Sequence, residues 1–81
     1  MFYVYILRSK KDGRIYIGYT QNLRLRFKEH TQGKVSSTQC RRPLELIYYE
    51  AYKDELIAKR RENQLKSGKA NIALRKRLGI S

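Results

Sequence analysis

Few side chains in this 81-residue sequence can move a proton near neutral pH, and they are scattered along it. The chain has one histidine, His30, and one cysteine, Cys40. A thiol nucleophile would want an imidazole partner, and a lone cysteine in a polar stretch is more often structural or incidental. One cysteine makes no internal disulfide and excludes two-cysteine metal motifs, which suits a reducing cytoplasm. His30 closes the run Arg26-Phe27-Lys28-Glu29-His30. On a helix of about 100° per residue, Arg26 and His30 fall together along one border of the apolar stripe marked by Leu23 and Phe27. Arg24 and Lys28 project elsewhere. An arginine beside such a cleft can grip a phosphate through two N–H groups and stays charged at any working pH. The plainer reading of His30 is a helix-terminal imidazole stabilised by the dipole.

Tyr5 and Tyr16 can meet only if the chain between them forms a hairpin. With residues 10 to 13 as its loop, Ser9 pairs with Arg14, Leu7 with Tyr16 and Tyr5 with Gly18. The two tyrosines then share one sheet face as diagonal neighbours, and a one-residue slip would separate them. Gly18, without a side chain, leaves room beside them for a phosphate or a packed helix. From the residues alone, the plainer reading is that both rings are core aromatics. Glu62 follows Ala58 by one turn, but Lys66 stands at the spacing of a helical ion pair, so a surface salt bridge is its plain reading.

The elements that would carry these groups are legible. Residues 2 to 8 form a β-prone run fit for a strand buried on both faces. Asp12-Gly13 signals the turn, and residues 14 to 19 resume the strand character. A helix is expected from Asn22, a good N-cap, to about Gln32, with Gly33 as its stop. Residues 33 to 42 read as a polar, basic loop, and 44 to 50 as a third strand. Asp54 caps a second helix running to Gly68, and residues 70 to 78 make a third, closed by Gly79. The expectation is one α+β domain over residues 1–81, a small three-stranded antiparallel sheet flanked by helices in the order β-β-α-β-α-α. A chain this short buries only about 60% of its unfolded surface, so its core must be compact.

Charge narrows the partners. Nineteen Lys and Arg against seven acids give a net charge of +12. That exceeds what solubility needs and implies a polyanion. Nucleic acid comes first, because neutralised phosphates release counterions; an anionic membrane surface comes second. No apolar run is long enough to span a bilayer. The apolar start of the chain lacks the basic flank and small-residue cleavage site of a signal peptide.

Set in order, these residues resemble the GIY-YIG nuclease family. Its second tripeptide is intact as Tyr16-Ile17-Gly18, and its first is represented by Tyr3-Val4-Tyr5, in which Tyr3 replaces the glycine and Val4 the isoleucine. The family's arginine falls at Arg26, followed by His30, and its acidic metal ligand at Glu62. The whole chain is similar to the small stand-alone bacterial members, and through them to the nuclease domain of the bacterial excision-repair nuclease. The resemblance implies a DNA endonuclease acting by in-line attack of water, with Glu62 holding one Mg²⁺ or Mn²⁺ and Arg26 stabilising the phosphate. It makes Tyr16, or alternatively Tyr5, the base, with His30 assisting. Arg26, the metal and the basic surroundings would lower the pKa of that tyrosine. Arg41, Arg42, Lys66, Lys69 and Arg75 are the expected nucleic-acid contacts, joined by Lys76 and Arg77. With no appended reading module, little sequence specificity is expected, and branched, flapped or single-stranded DNA is the expected substrate, RNA not being excluded. A DNA-repair setting, a cytoplasmic location and a protein partner that supplies specificity belong to the same expectation. The alternative is a nucleic-acid-binding module that cuts poorly or only with a partner.

Overall fold

The computed structural model describes residues 1–80. Strand β1 spans Phe2–Ser9 and β2 Ile15–Thr20, and both alternate their side chains across a three-stranded sheet ordered β2-β1-β3. The hairpin adopts the register expected from its turn, with Leu7 opposite Tyr16 and Tyr5 opposite Gly18. Its loop closes through Ser9 N to Arg14 O (2.8 Å) and Gly13 N to Ser9 O (2.8 Å), with Gly13 at φ +75°. That left-handed conformation costs glycine nothing and would strain another residue. Strand β3, Leu44–Tyr52, pairs antiparallel with β1, and the register shifts between Ile6 and Leu7, so that Ile47 is the extra residue. As the middle strand, β1 has Val4, Tyr5, Ile6 and Leu7 all buried, as its continuous apolar run requires.

Helix α1 is Leu23–Thr31, capped by Asn22, whose side-chain oxygen accepts from Leu25 N at 3.1 Å. Helix α2 is Glu55–Leu65, capped by Asp54, which accepts from Leu56 N (2.8 Å) and Ile57 N (3.2 Å). Helix α3 is Gly68–Leu78, ended by Gly79 at φ +71°. The second helix therefore stops short of Gly68, and the third begins there and not at Ala70. Ser67 is fully extended, Gly68 turns back at φ +74°, and Asn71 Nδ2 closes the corner on Leu65 O at 2.7 Å.

Residues 33–42 also depart from a plain polar loop. They contain a 3-10 turn at Gln39–Arg41, and Val35 and Thr38 are buried.

The sheet has two covered faces. Tyr5, Leu7 and Leu44 pack with Tyr16, Leu23, Phe27 and Leu46 beneath α1. On the other face Val4, Ile6 and Ile17 pack with Ala58, Leu65 and Leu74 of α2 and α3. That second face also holds a polar knot: Glu50 accepts from the Tyr48 hydroxyl (2.6 Å), the Tyr52 hydroxyl (2.5 Å) and Arg61 (2.9 and 3.1 Å). Strand β2 is a free edge of the sheet, with α1 on one side of it and α2 and α3 on the other.

Candidate active site

Four of the five expected catalytic residues gather under and beside α1. Tyr5 and Tyr16 come from adjacent strands, with ring centroids 6.3 Å apart. His30 meets both rings edge-on, at 5.6 Å from Tyr5 and 5.1 Å from Tyr16. The Gly18 backbone lies so close to the Tyr5 ring that a Cβ there would collide with Tyr5 Cζ and Oη. The space that a glycine was expected to leave for a phosphate or a helix is thus filled by Tyr5 itself.

His30 is fully buried, not a solvated helix end. The Tyr5 hydroxyl and His30 Nε2 are 2.8 Å apart, and His30 Nδ1 lies 2.8 Å from Thr38 Oγ1. Thr38 can donate to Val35 O at 3.5 Å, which leaves its oxygen to accept the Nδ1 proton. The network then assigns a direction: Tyr5 O–H donates to Nε2, and Nδ1–H donates to Thr38. Burial and the nearby Arg26 charge push the His30 pKa down, which keeps the imidazole neutral and its Nε2 able to accept. Thr38 is not foreseeable from the sequence, because a threonine in the run Ser36-Ser37-Thr38 carries no signal of burial.

Arg26 stands at the border of this cluster, beside the Tyr5 hydroxyl, which raises the arginine's own pKa. It bonds Glu29 at 3.2 Å, and its side chain, 37% exposed, remains open to a ligand. Tyr5 is pushed up to about 12, because burial outweighs the opposing pull of Arg26. For Tyr5 this reverses the expected lowering. Tyr5 has no exposed surface, whereas Tyr16 is half-buried and lines an open pocket of about 260 Å³ with Ile15, Ile17, Lys66, Asn71 and Arg75.

Glu62 approaches from the opposite side of the β2 edge, on α2. It lies within electrostatic reach of Tyr5 and is ion-paired to Lys66 Nζ at 3.3 Å, the salt bridge that its spacing suggested. Among the described residues no group of three or more His, Cys, Asp or Glu side chains could hold a metal ion. The donor set suits only a hard, well-hydrated cation such as Mg²⁺ or Mn²⁺, which takes one carboxylate and fills its other positions with water and phosphate oxygens. A thiolate- or imidazole-loving metal does not fit.

The expected nucleic-acid contacts divide. Lys66 and Arg75 line the pocket with Tyr16, and Arg41 and Arg75 line a second pocket next to it. Arg42 folds back the other way. Its Nε donates to Gln39 O (3.0 Å) and its Nη1 to Thr31 O (3.5 Å), beside Gly33 at the end of α1. Lys69, Lys76 and Arg77 are on α3 and line neither pocket.

The model of the GIY-YIG catalytic domain matches residues 1–77, so the chain belongs to the GIY-YIG nuclease family. Its relatives include a UPF0213 protein of Staphylococcus haemolyticus, 41% identical over 66 residues, covering 80% of this chain and 79% of that one. A UPF0213 protein of Pediococcus pentosaceus is 39% identical and covers 99% of this chain and 86% of its own length. The solution structure of a UPF0213 protein from Bacillus halodurans is similar at 34% identity and a TM-score of 0.58, over 96% of this chain and 85% of that one. No helix among the described residues is long and apolar enough to cross a membrane.

Proposed function

We propose that this protein is a metal-dependent endonuclease that hydrolyses phosphodiester bonds of branched, flapped or single-stranded DNA, with Tyr16 as the base. The observation that carries the reading is the contrast between the two tyrosines. Tyr5 is sealed, bonded to His30 and held as the neutral phenol, whereas Tyr16 opens on a pocket edged by cations. In this reading a phosphodiester lies along the β2 edge. Arg26 holds a non-bridging oxygen and faces the charge that grows on the phosphate in the transition state, where a preorganised cation contributes several kcal/mol. Tyr16 removes the proton from the attacking water. The Tyr5–His30–Thr38 chain fixes the floor on which the Tyr16 ring rests. Glu62 would hold Mg²⁺ or Mn²⁺, which supplies charge neutralisation at the leaving 3′-oxygen. The protein would act in the cytoplasm, in DNA repair, with a partner supplying any specificity.

One observation favours a second reading, a binding module that does not cut alone: Lys66 occupies the carboxylate that a metal needs. Incubating labelled flap, branched and single-stranded DNA with wild type, Glu62→Ala and Arg26→Ala in Mg²⁺ or Mn²⁺ separates the two. Cleavage by wild type alone, with all three proteins still binding, is the expected result. Binding by all three without cleavage would establish the binding module instead.

A further inference from the structure

Beyond the Tyr16 pocket, along the same sheet edge, lies a larger cavity of about 770 Å³ formed by Arg8, Arg14, Arg41 and Arg75, with Asp12 at its rim and Ile15 and Arg75 shared between the two. We propose that this arginine cavity is a second phosphate site, which seats a phosphate of the same nucleic-acid strand next to the one at Tyr16. The proposal rests on the nucleic-acid reading above and assigns the site's place on the strand.

Among the described residues, Arg8, Arg14 and Arg41 line the cavity with one carboxylate, which leaves a positive excess even without Arg75. The Asp12 carboxylate is already engaged by the Arg14 backbone N–H at 2.9 Å. Three of the arginines are anchored. Arg8 Nε bonds Gly13 O at 3.3 Å, Arg41 Nη2 bonds Ile15 O at 3.2 Å, and Arg75 Nε bonds Asn71 Oδ1 at 3.0 Å. Anchoring one nitrogen of a guanidinium orders the rest of its donors before a ligand arrives, which removes part of the entropy cost of binding. The Nε of Arg41 is buried and has no partner among the described residues. An arrangement that packs anchored like charges together is explained by an anion that neutralises them. The hairpin end is itself braced for this: the Ser9 hydroxyl donates to Arg41 O (2.6 Å) and accepts from Lys11 N (3.1 Å).

The test uses binding without metal, so it does not depend on cleavage. Arg8→Gln/Arg14→Gln is compared with Lys34→Gln/Lys53→Gln, which removes the same charge from positions outside both pockets. Each phosphate contact on single-stranded nucleic acid contributes about 0.7 to the slope of log K against log salt. The arginine pair is expected to lower that slope by about 0.7, one phosphate, for a single-stranded oligonucleotide, and the lysine pair by clearly less. Equal losses in the two doubles would overturn the site. Oligonucleotides with a 5′-phosphate, a 3′-phosphate or neither distinguish the source: tighter binding of one end-phosphorylated strand, lost in the arginine double, marks a terminal monoester, and equal binding marks an internal diester. Inorganic phosphate against chloride at matched ionic strength is the second readout. It is expected to raise the melting temperature of wild type and the lysine double but not of the arginine double. This arm separates failure of the site from failure of nucleic-acid binding, and no phosphate-specific rise in wild type would count against the site. Should the double variant melt before the assay, Arg14→Gln alone serves, expected to lower the slope by more than Lys34→Gln does.

Discussion

At the scale of single residues, two hydroxyls of the same type have been given opposite environments. Tyr5 holds its proton because burial raises its pKa to about 12, and it uses that proton on His30. Tyr16→Phe should therefore lower single-turnover cleavage by about 10²- to 10⁴-fold while leaving DNA binding in place. Wild-type cleavage should rise from neutral toward alkaline pH, because a phenol acts as a base only as its phenolate. A flat profile with chemistry rate-limiting would remove Tyr16 from the role of base. Tyr5→Phe acts differently: it leaves His30 Nε2 buried without a donor, at a cost of about 1–3 kcal/mol in stability, read as a lower melting temperature. Gly18→Ala drives a methyl into the Tyr5 ring and should destabilise by a similar 1–3 kcal/mol or so, with impaired cleavage as a consequence of the displaced ring.

At the scale of elements, the hairpin register, the N-caps at Asn22 and Asp54 and the central β1 were all legible, because each rests on local chemistry: a turn, a short polar side chain, an unbroken apolar run. The pairing of Arg26 with His30 was legible from helical period alone. What stayed hidden was long-range. Thr38 reaches His30 only because the 33–42 segment folds under the helix end, and no neighbour in sequence announces that. The Glu50 knot was equally silent, since Tyr48, Tyr52 and Arg61 converge on it only once β3 and α2 have packed. This knot gives an acid-stability prediction. Although burial works against it, bonds from Arg61, Tyr48 and Tyr52 hold the Glu50 pKa down to about 2 from an ordinary 4.5. A folded-state pKa below the unfolded one means the stabilisation is complete above about pH 4.5 and is lost as pH falls through that value toward 2. Glu50→Gln should flatten this acid-side loss in a melting-temperature series from neutral to low pH, and should lower stability at neutral pH, where the charged acceptor is missing.

At the scale of the whole molecule, the charge of +12 is not spread evenly in its effect. Arg42 spends its donors on Gln39 O and on Thr31 O at the end of α1, and Arg61 is committed to Glu50, whereas Lys66, Arg75, Arg41, Arg14 and Arg8 follow one edge of the sheet. DNA binding should weaken steeply with salt, as counterion release requires. Lys66→Gln, on that edge, should reduce the salt slope more than Arg60→Gln, an exposed cation on α2 that lines neither pocket. Equal slopes would mean a diffuse electrostatic cloud and no track. The order of strands carries one more consequence, in the time course of synthesis. The middle strand of the sheet leaves the ribosome first, and β2 follows at once, but β3 must wait until α1 and the 33–42 segment have been made. Until then β1 has an unpaired backbone edge and its apolar residues face the cell, so the nascent chain is most exposed to misassembly while it is half made.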